Sequence, residues 1–244
     1  MKRGDRCAGL AIVMPAYNEE ANVTAAIRAA CAAGERYAED YEIIVIDDGS
    51  RDHTAERVRE ESRTNSRIRL IQLPQNRGFG AALKTGLKAA VKPLVFYTDS
   101  DLQFDLEQIG DLLEKIDEFP LVIGYRVNRQ DHWLRKVNAW AWGRLQRALF
   151  GLRVRDIDCG FKLFRRDVLV PMIMRSDGAF LSTEILLRAQ AAGHGIVEVP
   201  VRHYPRQAGA PTGARLRVIR KAFAELWVLR EELRAHRDEA RKSR

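Results

Sequence analysis

One stretch of the chain changes from apolar to acidic within a few positions: Leu94-Val95-Phe96-Tyr97-Thr98-Asp99-Ser100-Asp101-Leu102-Gln103. Its first half predicts a short buried strand, which delivers two carboxylates and one amide oxygen to its C-terminal end. Oxygen ligands that converge at such a point suit Mg²⁺ or Mn²⁺, because these ions leave coordination positions open for phosphate oxygens. The stretch therefore predicts a metal site for a diphosphate substrate. Acids that cap a following helix are the alternative.

Apolar runs of the same kind alternate with helical patterns through the first half of the chain. Strands are predicted at residues 10–15, 41–46, 68–73 and 94–98, with helices at residues 19–33, 53–66 and from 78 to 90. Asn18 is the predicted N-cap of the first helix, Gly34 its predicted end, and Asp52 or Ser50 the predicted cap of the second. Near-continuous apolar strands are buried on both faces, so the pattern predicts an α/β fold with a mostly parallel, Rossmann-like sheet and helices on both faces.

The second half of the chain has a looser pattern without a linker. Strands are predicted at residues 121–124, 161–164 and 196–201, and helices at residues 132–149, 182–192 and, with a strongly basic character, 212–244. One domain is expected over residues 1–213, followed by a basic amphipathic C-terminal helix over 214–244. The apolar positions of that helix include Phe223, Leu226 and Trp227, with arginines around them. Such a helix suits an anionic membrane surface, and packing on the domain is the alternative.

The composition bounds the partners and the compartment. The 244 residues carry 41 Lys and Arg against 33 Asp and Glu, a net charge of +8 that favours nucleotides, phospholipid surfaces or nucleic acid. Nucleic acid is not expected, because the arginines gather at strand ends without a strip of stacking aromatic residues. The 3 cysteines lack metal-ligand spacing, and neither a signal peptide nor a membrane-spanning run is expected. The expected location is the cytoplasm, with peripheral attachment at the inner membrane face as an option.

Ligands of parallel sheets bind at the carboxyl ends of the strands. Residues 15–17, residues 47–48 and residues 99–101 all follow predicted strands and are expected to share one crevice. A carboxylate of Asp47 or Asp48 would accept a hydrogen bond from the ring N–H of uracil or guanine, and a turn formed with Gly49 is the alternative.

Other polar residues are expected near this crevice. Arg77, in a glycine-containing turn before a predicted helix, and Arg126, after the fifth strand, are candidate phosphate contacts, with a simple turn and a solvated side chain as the alternatives. Arg206 lies in a loop bounded by proline and glycine that could close over a diphosphate, and a loop arginine without a partner is the alternative. Asp156 or Asp158 could deprotonate or orient an acceptor, and turn formation is the alternative.

Six motifs occur in a fixed order along the chain: Pro15-Ala16-Tyr17-Asn18-Glu19-Glu20, Asp47-Asp48-Gly49-Ser50, Asn76-Arg77-Gly78-Phe79-Gly80, Asp99-Ser100-Asp101-Leu102-Gln103, Asp158-Cys159-Gly160-Phe161-Lys162 and Arg206-Gln207-Ala208-Gly209. With these motifs, residues 10–210 resemble the family 2 glycosyltransferases of the GT-A fold. Within that family the chain is most similar to the dolichol-phosphate mannosyltransferase group, which acts on polyprenyl phosphates. It departs from that group at Pro211-Thr212, where many members have Ser-Lys, and in lacking their transmembrane helices.

The resemblance assigns roles to the candidate residues. Pro15, Tyr17 and Glu19 would line the nucleotide pocket, Asp48 would face the base, and Asp99 would lie near the ribose or sugar. Together with the residue patterns, the resemblance gives these nucleotide-sugar-binding candidates: Pro15, Tyr17, Glu19, Asp47, Asp48, Arg77, Asp99, Ser100, Asp101, Arg126 and Arg206. The metal candidates are Asp101, Gln103 and Asp99, for Mg²⁺ or Mn²⁺. Asp156 or Asp158 would lie beside the reacting carbon of the sugar, and the spacing allows either.

The expected function is therefore inverting sugar transfer from a nucleoside diphosphate sugar, GDP-mannose or a UDP-hexose, to a polyprenyl or dolichyl phosphate. A phosphate acceptor is largely dianionic at neutral pH and needs no strong general base. The enzymatic alternative is a soluble hydroxyl acceptor, for which one of the late aspartates must act as base. A basic nucleic-acid-binding protein is the non-enzymatic alternative.

Overall fold

One sheet organises the part of the chain that the structure, a computed structural model, describes: residues 5–127, 143–144, 146–206 and 225–232. Its strands are β1 Leu10–Ala16, β2 Tyr41–Asp47, β3 Ile68–Gln72, β4 Leu94–Thr98, β5 Leu121–Val127, β6 Phe161–Arg165 and β7 Ile196–Arg202. They lie in the order β3-β2-β1-β4-β6-β5-β7. Only β6 among them runs antiparallel to its neighbours, β4 and β5. The prediction of a mostly parallel α/β sheet is confirmed.

Helices cover both faces of this sheet. They are α1 Val23–Tyr37, α2 Thr54–Thr64, α3 Phe79–Ala89, α4 Ile109–Leu113, α5 Arg166–Leu169 and α6 Leu181–Ala191. One core joins α1, α2 and α4 to alternate strand residues such as Ile12 and Ile43. The other joins α3 and α6 to the intervening residues, such as Val13 and Ile44. All seven positions of β1 and of β2 are buried, because each strand contributes side chains to both cores.

The first helix differs from the sequence prediction at both ends. It begins at Val23, because Asn18 does not cap it but adopts a left-handed conformation with φ 55°. The Asn18 side chain instead accepts a hydrogen bond from the Arg51 N–H at 2.9 Å. Gly34 does not end the helix, which continues to Tyr37. A Cβ at Gly34 would lie 2.5 Å from the ring of Tyr41, so the glycine serves close packing on β2.

The turn before α1 is fastened to the turn before α2. The Asn18 N–H donates to Ser50 Oγ at 2.9 Å, and the Glu19 N–H donates to Thr54 Oγ1 at 2.8 Å. Asp52 accepts from the N–H of Thr54 at 3.1 Å, but the N-cap of α2 is His53, so neither Asp52 nor Ser50 is the cap that the sequence predicted. These bonds hold Glu19 at the carboxyl edge of the sheet.

The C-terminal region is described over residues 225–232, which are helical. Leu226 and Leu229 are buried in the core on the α3 and α6 face, whereas Trp227 is 50% exposed. The predicted apolar face thus divides, because Leu226 packs on the domain and Trp227 does not. The rest of the predicted helix 214–244, most of the predicted helix 132–149 and the domain limit at 213 lie outside the described residues. Within the described ranges, no helix is long and apolar enough to cross a bilayer.

Candidate functional site

The segments that follow β1, β2 and β4 meet at one edge of the sheet, as their order along the chain predicts. The Asp48 N–H donates to the Ala16 carbonyl at 2.9 Å, which joins the end of β2 to the end of β1. Ser100 Oγ donates to the Pro15 carbonyl at 2.8 Å and joins β4 to β1. Pro15 and Ser100 thereby fasten the rim together, and the half-buried Tyr17 follows directly.

The centre of this rim is an ion-pair cluster around Arg206. Its guanidinium pairs with Glu19, which follows β1, and with Asp101, which follows β4, the latter at 3.4 Å. Both carboxylate side chains are 10% exposed and the arginine side chain is 20% exposed. Two acids from separate strand ends therefore converge on one cationic group.

Two carboxylates at this cluster have raised pKa values. Burial, followed by the charge of Asp101, raises the pKa of Asp99 to about 7, although Lys162 and Arg126 oppose the shift. Burial also raises the pKa of Asp101, and the charge of Glu19 adds to it despite the pull of Arg206. Carboxylates that resist ionisation for these reasons favour an additional cation.

The carboxylate oxygens at this edge suit a hard divalent cation whose other ligands are waters and phosphate oxygens. Within the described ranges, no three Asp, Glu, His or Cys side chains are placed to form a metal cage. Mg²⁺ needs only one or two carboxylates when substrate phosphates and waters complete its octahedron. Asp101 and Asp99 would supply those carboxylates, and their role as metal ligands stays a prediction.

The raised pKa of Asp99 predicts that the metal-free chain loses stability as the pH rises from about 4 to about 7. In this window the folded chain keeps a proton on Asp99 that the unfolded chain has released, because the pKa rises from 3.8 to about 7 on folding. Linkage then makes the free energy of unfolding fall with rising pH. Urea unfolding in the presence of a chelator compares the wild type with Asp99→Asn. The two should be similarly stable near pH 4, and the variant more stable above pH 7. A difference that does not change with pH would contradict the assignment.

Gln103 holds the segment that carries Arg206. Its side-chain Nε2 donates to the Tyr204 carbonyl at 3.0 Å, and the Tyr204 N–H donates to the Gln103 carbonyl at 2.8 Å. Phe104 and His203 form a further antiparallel bridge. The observed role of Gln103 is therefore to tether residues 203–206, and its role as a metal ligand stays a prediction.

The N–H groups of the turn before α3 donate to a protein carboxylate, which agrees with the simple turn that was the alternative, and Arg77 as a phosphate contact stays a prediction. The Asp48 carboxylate accepts from the N–H groups of Arg77 and Gly78, each at 2.8 Å. A Cβ at Gly80 would lie 2.1 Å from the Gly178 carbonyl oxygen, so this glycine permits close packing. The Arg77 guanidinium is 53% exposed and lies 3.9 Å from the Asp177 carboxylate.

Asp47 and Asp48, at the end of β2, have different hydrogen-bond partners. Asp47 Oδ1 accepts from the Ser50 N–H at 3.0 Å, which is the turn that was the alternative to base recognition. Its Oδ2 is buried and has no hydrogen-bond donor among the described residues. Burial raises the pKa of Asp48, whose carboxylate holds the turn at Arg77. A buried oxygen without a donor is unfavourable, so Asp47 keeps acceptor capacity at this end of the rim.

Arg126 and Asp156 form a two-pronged ion pair. Arg126 Nε and Nη2 donate to the two Asp156 oxygens at 2.7 and 2.8 Å, and its backbone N–H donates at 3.1 Å. The side chains are 10% and 9% exposed. Burial alone would lower the pKa of Arg126, but the hydrogen bonds and charge of Asp156 raise it above its usual value. The two side chains are thus engaged with each other, and their roles toward a phosphate and an acceptor stay predictions.

Asp158 lies two residues further along the same loop and is exposed. The loop ends at β6, whose first residue, Phe161, pairs with Thr98 at the end of β4. A Cβ at Gly160 would lie 2.3 Å from Asp99 Oδ2, so this loop packs directly against Asp99. Of the two late aspartates that the sequence left open, Asp158 is the one with an exposed side chain.

Two residues of this region were given no role by the sequence reasoning. Glu198 of β7 accepts from the backbone N–H of Arg155 at 2.8 Å and of Asp156 at 3.4 Å. Lys162 is fully buried in β6. The signal for Lys162 was present, since a lone charge stands in the apolar strand of residues 161–164. Glu198 alternates with apolar residues as a solvent-facing residue of an edge strand would, so no signal marked it.

Comparison with known proteins agrees with this architecture. Residues 11–170 match the family model described as glycosyl transferase family 2. Solved structures of glucosyl-3-phosphoglycerate synthase from Mycobacterium tuberculosis share the fold. The complex with Mn²⁺, UDP-glucose and phosphoglyceric acid has a TM-score of 0.71 at 21% identity, over 92% of this chain and 80% of that one. The complex with Mg²⁺ and UDP has a TM-score of 0.71 at 18% identity, over 91% and 79%.

A third structure of that synthase has a TM-score of 0.69 at 23% identity, over 91% of this chain and 80% of that one. At such identities the likeness establishes the fold. These structures are not those of a dolichol-phosphate mannosyltransferase, so the narrower group that the sequence resembles is not established. The match over residues 11–170 covers more than half of the chain and supports the broader assignment. The chain belongs to glycosyl transferase family 2.

Proposed function

We propose that the chain transfers a sugar from a UDP-hexose to the hydroxyl group of a small anionic acceptor, with inversion at the anomeric carbon. The observation that carries the proposal is the convergence of Glu19, Asp101 and Arg206, next to Asp99, at the carboxyl edge of the sheet. A diphosphate donor brings two needs to such an edge, a divalent cation and an arginine. UDP rather than GDP is supported by the UDP and UDP-glucose bound to the synthase that shares this fold.

Asp101 and Asp99 would hold Mg²⁺ or Mn²⁺, the ions present in those synthase structures. Such a cation neutralises charge that develops on the leaving diphosphate. Arg206 is already held at this point by Glu19 and Asp101, so it would donate paired hydrogen bonds to the diphosphate once a cation takes over the carboxylates. Positive charge aimed at the leaving group stabilises the transition state more than the ground state.

Asp158 would act as the general base toward the acceptor hydroxyl. It is exposed on the loop that touches Asp99, whereas Asp156 is committed to Arg126. A small soluble acceptor is supported by the phosphoglycerate in the synthase complexes. It is also supported by Leu226 and Leu229, since both pack into the core rather than toward a membrane.

A polyprenyl phosphate acceptor is the second candidate. The observation that favours it is the exposed Trp227 and Val228, which are 50% and 58% exposed on a basic segment. The Arg230 guanidinium lies 4.9 Å from the centre of the Trp227 ring. Exposed aromatic and basic side chains of this kind suit a lipid headgroup region.

A binding panel followed by a transfer assay tests the proposal. UDP-sugars with Mn²⁺ should raise the melting temperature, by about 5–10 °C at a hundredfold excess over the dissociation constant, whereas GDP-mannose should not. Labelled UDP-glucose is then offered with 3-phosphoglycerate or with polyprenyl phosphate in detergent, and NMR identifies the product anomer. We expect transfer to the phosphoglycerate with inversion. Transfer to the lipid alone would establish the second candidate. A product with retained anomeric configuration would contradict inversion and the role of Asp158 as general base. Binding of no nucleotide sugar would overturn the proposed function.

A further inference from the structure

Lys162 is a charged residue at the second position of the buried strand β6. Its side chain has no exposed surface, and its strand neighbours Phe161 and Leu163 are equally buried. Taking an ammonium group out of water is costly unless hydrogen bonds replace the lost solvent. The contacts of Lys162 therefore need an explanation that the packing of β6 alone does not provide.

All three protons of the ammonium group find acceptors. Lys162 Nζ donates to the Tyr97 hydroxyl and to the Ile157 carbonyl, each at 2.9 Å, and also to the Cys159 carbonyl. The Tyr97 hydroxyl in turn shares a hydrogen bond with Ser182 Oγ at 2.6 Å. One end of this network is the core under α6, and the other end is the backbone of the loop before β6.

The two carbonyl acceptors lie on either side of Asp158. Ile157 precedes it and Cys159 follows it, so a single buried ammonium group holds the peptide on both flanks of an exposed carboxylate. The next residue, Gly160, lies against Asp99, with Asp99 Oδ2 only 2.3 Å from where a Cβ would stand. The loop is thus held by Lys162 at Ile157 and Cys159, and its last residue packs against Asp99.

A purely stabilising role does not account for this arrangement. Apolar residues of similar volume often replace buried charged groups without loss of stability, and the other buried residues of β6 are apolar. What an apolar residue could not do is donate to two carbonyls at once. We propose that Lys162 is a positioning residue, which clamps the carbonyls of Ile157 and Cys159 so that Asp158 faces the sugar acceptor. The role rests on the proposed function of Asp158.

A double-mutant cycle on kcat tests the clamp. Lys162→Met should lower kcat about a hundredfold, the effect expected of a misplacement of about 1 Å, while the KM for the donor stays within twofold. In the Asp158→Asn background the same change should cost less than twofold, because the carboxylate that it positions is already gone. Lys92→Met, which removes a lysine paired with Asp40 at the opposite edge of the sheet, is the control and should leave kcat unchanged.

Tyr97→Phe provides a second, milder variant should Lys162→Met fold poorly. It removes one acceptor and leaves both carbonyl bonds, so we expect a smaller fall in kcat that also disappears in the Asp158→Asn background. Equal losses in both backgrounds, or no loss in kcat, would overturn the proposal.

A wild-type chain that transfers no sugar overturns the proposed function rather than the clamp. Hydrogen exchange then tests the clamp by itself. The amides of residues 157–160 should exchange faster in Lys162→Met than in the wild type, and unchanged exchange there would overturn the clamp as well.

Discussion

Asp101→Asn is expected to abolish sugar transfer while leaving the fold at least as stable as that of the wild type. Asp101 is a carboxylate in the cluster of Glu19 and Arg206, and burial, with the charge of Glu19, raises its pKa although the Gln103 N–H and Arg206 oppose the shift. A neutral amide removes that unfavourable charge. It also removes the ligand with which a divalent cation would be held against the diphosphate.

The expected loss in kcat is about a thousandfold or more. A catalytic metal supplies several kcal/mol of transition-state stabilisation, and each 1.36 kcal/mol is a factor of ten in rate. Mn²⁺ affinity, followed by electron paramagnetic resonance with UDP present, should fall in parallel. Urea unfolding should show no loss of stability.

Asp105→Asn is the matched control for this variant. Its carboxylate accepts from the Glu107 N–H at 3.1 Å and so caps the short 3₁₀ turn Leu106–Gln108. This hydrogen bond does not involve Arg206. It should keep its activity and its Mn²⁺ affinity. If Asp101→Asn loses activity but binds Mn²⁺ as the wild type does, the metal role of Asp101 is rejected.

The strands were predictable because a buried strand appears in the sequence as a run of mostly apolar residues. Residues 10–16 and 41–47 are buried on both faces, and strands that contribute to two cores are near-continuous apolar runs. The end of the first helix was not predictable in the same way. Gly34 carries a helix-ending signal locally, but the helix continues past it to Tyr37, and a glycine is needed there because the Tyr41 ring occupies the space of a Cβ. Tertiary contact outweighed local propensity there.

The site was predictable in its residue types but not in its pairings. Asp99 and Asp101 could be assigned to one edge, since parallel strands end together. The pairing of Arg126 with Asp156 could not, because it depends on β6 entering the sheet antiparallel between β4 and β5. That insertion brings the loop before β6 to the end of β5, and no periodicity in either segment specifies it.

Asp156→Ala is expected to destabilise the chain by about 3–5 kcal/mol, the usual effect of removing one partner from a buried ion pair. Arg126 would keep its charge in a site where its side chain is only 10% exposed. Any fall in activity should therefore follow the loss of folded protein, measured by urea unfolding. Arg126→Met combined with Asp156→Leu removes both charges and should recover much of the stability.

Asp158→Asn is expected to do the opposite. The residue is exposed, so stability should change by about 0.5 kcal/mol or less, as for most surface substitutions. Its kcat toward a hydroxyl acceptor should fall about 10²–10⁴-fold, the range of a lost general base. The two neighbouring aspartates then separate cleanly, one by stability and the other by rate. An Asp156→Ala chain that is as stable as the wild type yet inactive would return the catalytic role to Asp156. A loss of activity without a loss of stability means that the carboxylate serves the reaction and not the fold.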